Sequence, residues 1–267
     1  MVISMSEGAL LFPGQGVQYL GMGKQLYDSY PIVQHIFEEA SDSCGIDLKQ
    51  LCFGKKNEEL NLTENTQPAV LTVGYAASKV LESEYDFIPI CGAGHSLGEI
   101  TALTTAGAIP FASAVKLVKV RGRLMQEAVA KEIGAMSAII GLNPSLVKQT
   151  CEELTRDGAV VEVSNYNTNT QTVISGHKEA VEMAEQRFLQ LHAKVVRLKV
   201  SAPFHCSLMQ SAAIQLEKEL DQIAFQKLRY PVLSNVTGSF YINEEKIKDL
   251  LVLQMTKPDN GQKYPLS

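Results

Sequence analysis

Apolar and polar positions follow two rhythms along this chain. A short apolar run at residues 9–12 leads into Pro13-Gly14-Gln15-Gly16, which predicts a strand followed by a tight turn. Helical spacing follows at residues 22–27, 32–40 and 69–81. Residues 87–93 form a second short apolar segment that ends in glycine and meets Gly94-His95-Ser96. Residues 97–106 beyond it are rich in alanine and predict a helix. A further helical pattern covers residues 113–131, with Leu117, Val118, Leu124, Met125 and Ala128 on one apolar stripe.

The middle of the chain changes rhythm. Residues 135–142 read as strand, 144–156 as helix, 159–164 and 172–175 as strands, 178–192 as helix and 194–200 as strand. That order, β-α-β-β-α-β, is the ferredoxin-like arrangement, and it closes on itself between residues 134 and 199. The expected organisation is therefore an α/β chain. Residues 1–133 and 200–267 form a larger core, and residues 134–199 form an inserted ferredoxin-like subdomain.

Composition narrows the function classes. The chain has 267 residues, 45% apolar and 20% charged, which suits a globular protein with ample core. A net charge of −5 favours neither nucleic acid nor a membrane surface as partner. No apolar run approaches the length needed to span a bilayer, and the first residues lack the pattern of a secretory signal. Cys44, Cys52, Cys91, Cys151 and Cys206 are odd in number and scattered, with no paired spacing. They read as reduced thiols in a cytoplasmic protein, and no metal site is expected.

The candidate chemistry centres on Gly94-His95-Ser96-Leu97-Gly98. A glycine-flanked serine between a strand and a helix sits on a strained turn that presents its hydroxyl, with a helix N-terminus behind it to favour developing negative charge. The bland alternative is a structural turn. A serine nucleophile needs a base. Of the five histidines, His35 and His192 fall in predicted helices, His177 follows a strand end as a helix-capping neighbour, and His95 adjoins the serine itself. His205 lies in the loop Ser201-Ala202-Pro203-Phe204-His205 that leaves the insert, and is the best placed of the five. Cys206 next to it suggests a thiol nucleophile, but adjacent side chains on an extended segment point to opposite faces, which favours an ordinary thiol. Arg121 falls inside the apolar stripe of its helix, whereas Lys116, Lys119 and Arg123 lie off it. A core-directed arginine keeps its charge and must find an anion: an internal carboxylate, solvent by snorkelling, or a substrate carboxylate held in a bidentate fork.

With these residues in place, the chain resembles malonyl-CoA:acyl-carrier-protein transacylases, of the type seen in fatty-acid synthesis and as free-standing acyltransferases of polyketide assembly lines. The resemblance runs from Phe12 to Pro258. It is carried by Phe12-Pro13-Gly14-Gln15-Gly16, Thr66-Gln67-Pro68, Gly94-His95-Ser96-Leu97-Gly98-Glu99, Arg121-Gly122, Gly134-Ala135-Met136, Val173-Ile174-Ser175-Gly176, Phe204-His205, Ser234-Asn235-Val236 and Gln254. It implies an α/β-hydrolase-like core with a ferredoxin-like insert. It also implies that Ser96 becomes malonylated and that His205 is its base, oriented by the main-chain carbonyl of Gln254. Gln15 and the backbone N–H of Leu97 would form the oxyanion hole, and Arg121 would clamp the malonyl carboxylate. Phe204 fits the malonyl-selective pattern, and Gln67 and Asn167 match pocket-lining positions. The implied partners are malonyl-CoA as substrate and an acyl carrier protein as acceptor, with no resident cofactor. Lys194, Arg197 and Lys199 are candidate contacts for an acidic carrier, or a solvated strand face.

The family normally continues after Gln254-Met255-Thr256-Lys257-Pro258 with a further strand and helix, whereas here a polar stretch, residues 259–267, follows. A core lacking that strand is expected to expose a sheet edge and apolar surface. Two other functions fit the same residues. One is an acyl hydrolase clearing carrier proteins, against which a buried Arg121 argues. The other is a non-catalytic module that docks carrier proteins.

Overall fold

In the computed structural model, which describes residues 7–85, 87–130, 132–155, 158–198, 200 and 202–261, the first apolar run forms strand β1 (Glu7–Phe12) with Leu10 and Phe12 turned inward. Lys131, Arg156, the basic residue Lys199, the loop residue Ser201, the first six residues and the tail from residue 262 lie outside the described residues, and the helices expected to reach Lys131 and Arg156 already stop at Glu127 and Leu154. The chain is mixed α/β and divides into two units.

The first unit comprises residues 1–123, 219–234 and 240–247. Its helices α1 (Lys24–Ser29), α2 (Pro31–Cys44), α3 (Leu48–Phe53) and α4 (Asn57–Leu60) precede the long α5 (Thr63–Glu84). Pro31 opens α2, where a missing N–H costs nothing, and the side chain of Asp47 caps α3 by accepting the N–H of Gln50. Strand β2 (Ile88–Gly94) lies parallel to β1, with Phe12 opposite Gly94. Main-chain bonds from Gly92 to Pro231 and from Leu233 to Gly92 add a short parallel segment on the other side of β2. Helix α6 (Leu97–Thr105) follows the candidate serine and is buried along its whole length. Its Thr104 and Thr105 hydroxyls bond back to carbonyls one turn earlier, which satisfies polar groups in an apolar setting. Helix α7 (Phe111–Glu127) comes next. Among the described residues, β1 pairs with β2 alone. Leu11, Val17, Tyr19, Val73 and Leu81 line an apolar groove beside it.

The second unit comprises residues 124–218, 235–239 and 248–267. It contains β3 (Gly134–Ile140), α8 (Pro144–Leu154), β4 (Val161–Thr168), β5 (Gln171–His177), α9 (Lys178–Gln190) and β6 (Lys194–Arg197), in the order β-α-β-β-α-β. The four strands form one antiparallel sheet in the order β4-β5-β3-β6. Ile139, Val163 and Ile174 from the sheet pack with Val147, Cys151, Val181 and Phe188 from α8 and α9. This is the burial that the alternating strands and amphipathic helices require. Most of α10 (Gln210–Leu220) and α11 (Ile247–Gln254) complete the unit.

Other local expectations change as well. His177 precedes α9 without capping it, because its Nδ1 accepts the N–H of Val160 at 2.9 Å. Helix α9 stops at Gln190, and His192 adopts a left-handed conformation at φ 62°. The first residues of the expected polar tail are structural. Asp259 is buried and pairs with β4, exchanging main-chain bonds with Ser164 (2.9 Å) and Tyr166 (2.8 Å). No helix among the described residues is long and apolar enough to cross a membrane.

Candidate active site

The turn at Ser96 is built by glycines that permit close backbone approach. A Cβ on Gly94 would meet the carbonyl carbon of Gly98 at 2.0 Å, and one on Gly98 would meet the carbonyl oxygen of Phe12 at 2.1 Å. Strand β2 can therefore run directly into α6, pinned by the N–H of His95 on the Phe12 carbonyl (3.1 Å). Ser96 occupies φ 51°, ψ −102°, a conformation an L-residue adopts only under constraint, and such strain concentrates at functional turns. Leu97 is the first residue of α6, so its N–H is one of the orphan donors of that helix end. Substituting Gly98 with alanine is expected to lower stability by about 3 kcal/mol, since neither the Phe12 carbonyl nor the helix start can yield. Thermal unfolding checks this, and an unchanged midpoint would contradict the close approach.

Arg121 is 1% exposed, as its place in the apolar stripe demands, so snorkelling is excluded. Its Nη1 donates to Gln67 Oε1 at 2.9 Å and its Nη2 to Ser96 Oγ at 3.0 Å. Gly122 makes this placement possible, because a Cβ there would meet the Thr63 carbonyl at 2.6 Å, where α7 crosses the start of α5. Burial lowers the guanidinium pKa to about 10, and the charge of Glu99 opposes that shift. Arg121 therefore remains a cation at neutral pH. Gln15 is part-buried, and its side-chain amide donates to Thr63 Oγ1 at 3.2 Å.

Gln67 shows where pattern reading fell short. Helix α5 begins at Thr63, six residues before the expected start, and carries Pro68 inside it. Proline usually ends a helical pattern, but Pro68 stands near the start of the helix, and its first turns are buried at Thr63, Thr66, Gln67 and Pro68. Glu99 and Tyr241, unlike Gln67, carry no role in the sequence reading. Both are buried, and the Tyr241 hydroxyl donates to the Glu99 carboxylate. A carboxylate inside an alanine-rich helix start was the available signal.

In the second unit, His205 is 4% exposed and adopts a left-handed φ of 58°. Its Nδ1 lies 2.7 Å from the main-chain carbonyl of Gln254 at the end of α11. With that carbonyl as acceptor, Nδ1 carries the proton and Nε2 is left as the basic nitrogen. Phe204 is buried, and its N–H points to the Met136 sulfur at 3.3 Å. Cys206 is inert, since burial pushes its thiol up to about 11 and its sulfur bonds the Pro203 carbonyl. Asn167 is half-buried on β4 where the register with β5 slips, a bulge of the kind that re-aims a side chain. Arg197 is bound in a two-bond fork by Glu185 at 2.7 Å, with Glu182 at 3.5 Å, so its charge is largely spent within the unit.

Ser96, Leu97, Gln15, Gln67 and Arg121 thus belong to the first unit, and His205, Gln254, Phe204 and Asn167 to the second. Within the first, a constrained serine hydroxyl is bonded to a buried cation. Within the second, a buried imidazole is fixed by a carbonyl.

The chain is similar to known proteins over most of its length. The acyl transferase domain family matches residues 9–248. A malonyl CoA-acyl carrier protein transacylase from Escherichia coli K12 is 46% identical over 255 residues, which cover 95% of this chain and 82% of that protein. A protein of the same name from Bacillus subtilis is 41% identical over 254 residues; the chain spans 64% of its length, just under two thirds. Among solved structures, a malonyl-transacylase in complex with its type II PKS acyl-carrier protein superposes with a TM-score of 0.93 at 42% identity, over 97% of this chain and 84% of that one.

Proposed function

The chain belongs to the acyl transferase domain family, and on that premise we propose that it moves a malonyl group from malonyl-CoA to the phosphopantetheine thiol of an acyl carrier protein, through a malonyl ester on Ser96. The observation that carries the reading is the buried Arg121 guanidinium within hydrogen-bond distance of Ser96 Oγ. A nucleophile needs no cation at that spot to attack a neutral acyl chain, whereas a malonyl thioester brings a carboxylate a few bonds from the carbonyl under attack.

The reaction has two half-steps. Ser96 Oγ attacks the thioester carbonyl carbon while His205 Nε2 takes its proton, and the negative charge on the former carbonyl oxygen is received by Gln15 and the backbone N–H of Leu97. Collapse breaks the C–S bond, His205 returns the proton to the departing coenzyme A sulfur, and the malonyl ester of Ser96 remains. The pantetheine thiol of the carrier then loses its proton to His205, attacks the ester, and the serine oxygen leaves with that proton. Arg121, held by Gln67, grips the malonyl carboxylate throughout. Phe204 favours malonyl over branched groups, and Asn167 is a pocket-lining position.

The finer architecture follows the same reading. On that reading residues 1–133 and 200–267 form an α/β-hydrolase-like core, and residues 134–199, which hold the sheet of the second unit and its two helices, form a ferredoxin-like subdomain. The chemistry calls for no resident metal or cofactor and no nucleic-acid partner, and the five free cysteines fit a cytoplasmic setting. Incubating the protein with malonyl-CoA and a phosphopantetheinylated carrier tests the transfer, with the carrier's mass as readout. A malonylated carrier is the expected product. Release of free malonate with the carrier unmodified would instead support a hydrolase.

A further inference from the structure

Gln254 closes α11, so its carbonyl is one of those that lack a partner within the helix. The residue four places on, which in a continuing helix would donate to it, is Pro258, and proline has no N–H. The N–H groups between them are engaged elsewhere: Met255 bonds the Val252 carbonyl at 3.2 Å, and Thr256 and Lys257 bond the Leu253 carbonyl at 3.1 and 2.9 Å. The carbonyl that meets His205 is thus one the local backbone does not claim.

The side chain of the same residue is tied down separately. Gln254 is 1% exposed, and its Nε2 donates to Oδ1 of Asn235, which is fully buried. Asn235 also anchors the far end of the segment. Its carbonyl accepts the N–H of Asn260 at 2.9 Å, and the Asn260 side-chain amide reaches the carbonyl of Val236 at 2.7 Å. Residues 254–260 are therefore fastened at both ends to the 235–236 turn, with the His205 contact at one of those ends.

We propose that Asn235 and Pro258 are positioning residues for His205: Asn235 fixes Gln254 through its side-chain amide, and Pro258 leaves the Gln254 carbonyl open to the imidazole. This inference rests on the malonyl-transfer reading, in which His205 is the base. Neither residue touches substrate. Both act by keeping one tautomer of the ring in one orientation, and a small misplacement of a base is costly to turnover.

Two readouts test it together. In protein labelled with 15N-histidine, the Nδ1–H proton of His205 is expected as a downfield resonance in slow exchange with water, assigned by its absence in His205→Ala. In Asn235→Ala and in Pro258→Ala that resonance is expected to broaden, and kcat for transfer to fall about 10-fold with KM for malonyl-CoA nearly unchanged. Gln254→Met keeps the main chain and removes only the amide donor, so it carries the same expectation if Asn235→Ala does not fold. The double variant Asn235→Ala/Gln254→Met is expected to be no slower than the slower single one, because both break the same contact. An unchanged resonance and kcat in the single variants would overturn the proposal, as would additive losses in the double. A wild-type protein that shows the resonance but transfers no malonyl would sink the functional reading instead, and the resonance in the variants would still decide the positioning.

Discussion

His205→Ala is expected to slow malonyl transfer by about 10³-fold while leaving the protein folded, the range that loss of a positioned general base produces. The buried imidazole meets a carbonyl rather than a carboxylate, so its removal leaves no uncompensated charge behind. The defect should appear in both half-reactions, since one nitrogen accepts the serine proton in the first and the pantetheine proton in the second. Rapid-quench measurement of acylation and of transfer from preformed malonyl-enzyme separates the two steps. A variant slowed in one step alone would contradict a base shared by both. His205→Gln, which can keep a hydrogen bond to Gln254 but cannot take a proton, is expected to be no better than alanine.

Arg121→Ala is expected to lower kcat/KM for malonyl-CoA by about 10²-fold or more, with little change for acetyl-CoA, so that the variant no longer prefers malonyl. The asymmetry is the informative part. The guanidinium is buried and bonds both Gln67 and Ser96, so a general disturbance of the site would penalise both substrates alike. Arg121→Lys should recover little, because a single ammonium cannot hold Gln67 and a carboxylate in the planar fork that arginine provides. Arg121→Met, which keeps much of the volume, separates loss of charge from loss of packing. Competition between the two thioesters for one enzyme is the measurement, and a retained malonyl preference would remove Arg121 from its proposed role.

Much of this arrangement was legible in the sequence, and the residues show why. Gly94 and Gly98 bracket Ser96 because no side chain fits against Gly98 or the Phe12 carbonyl, and that crowding leaves a readable spacing. Arg121 stood out because helix periodicity places it on an apolar face, where it is in fact buried. The antiparallel sheet of the second unit announced itself through the order of alternating and helical patterns.

What escaped the sequence escaped for physical reasons. The Gln254 carbonyl that meets His205 is implied by the family resemblance alone, because a main-chain group that every residue owns leaves no side-chain signal at position 254. The left-handed backbone at His205 leaves no mark in composition either. Pro68 hid the true start of α5, and with it the face that presents Gln67 to Arg121. Asp259 looked like the beginning of a polar tail because its burial depends on pairing with β4, a strand far away in sequence.

The central claim is that Ser96 carries the malonyl group, and the mass of the intact protein after mixing with malonyl-CoA tests it most directly. The wild-type chain is expected to gain one malonyl unit, located on the peptide containing Ser96 and discharged when a pantetheine thiol is added, while Ser96→Ala gains none. An adduct that persists in Ser96→Ala, or a folded wild-type protein that never acquires one, would contradict the account.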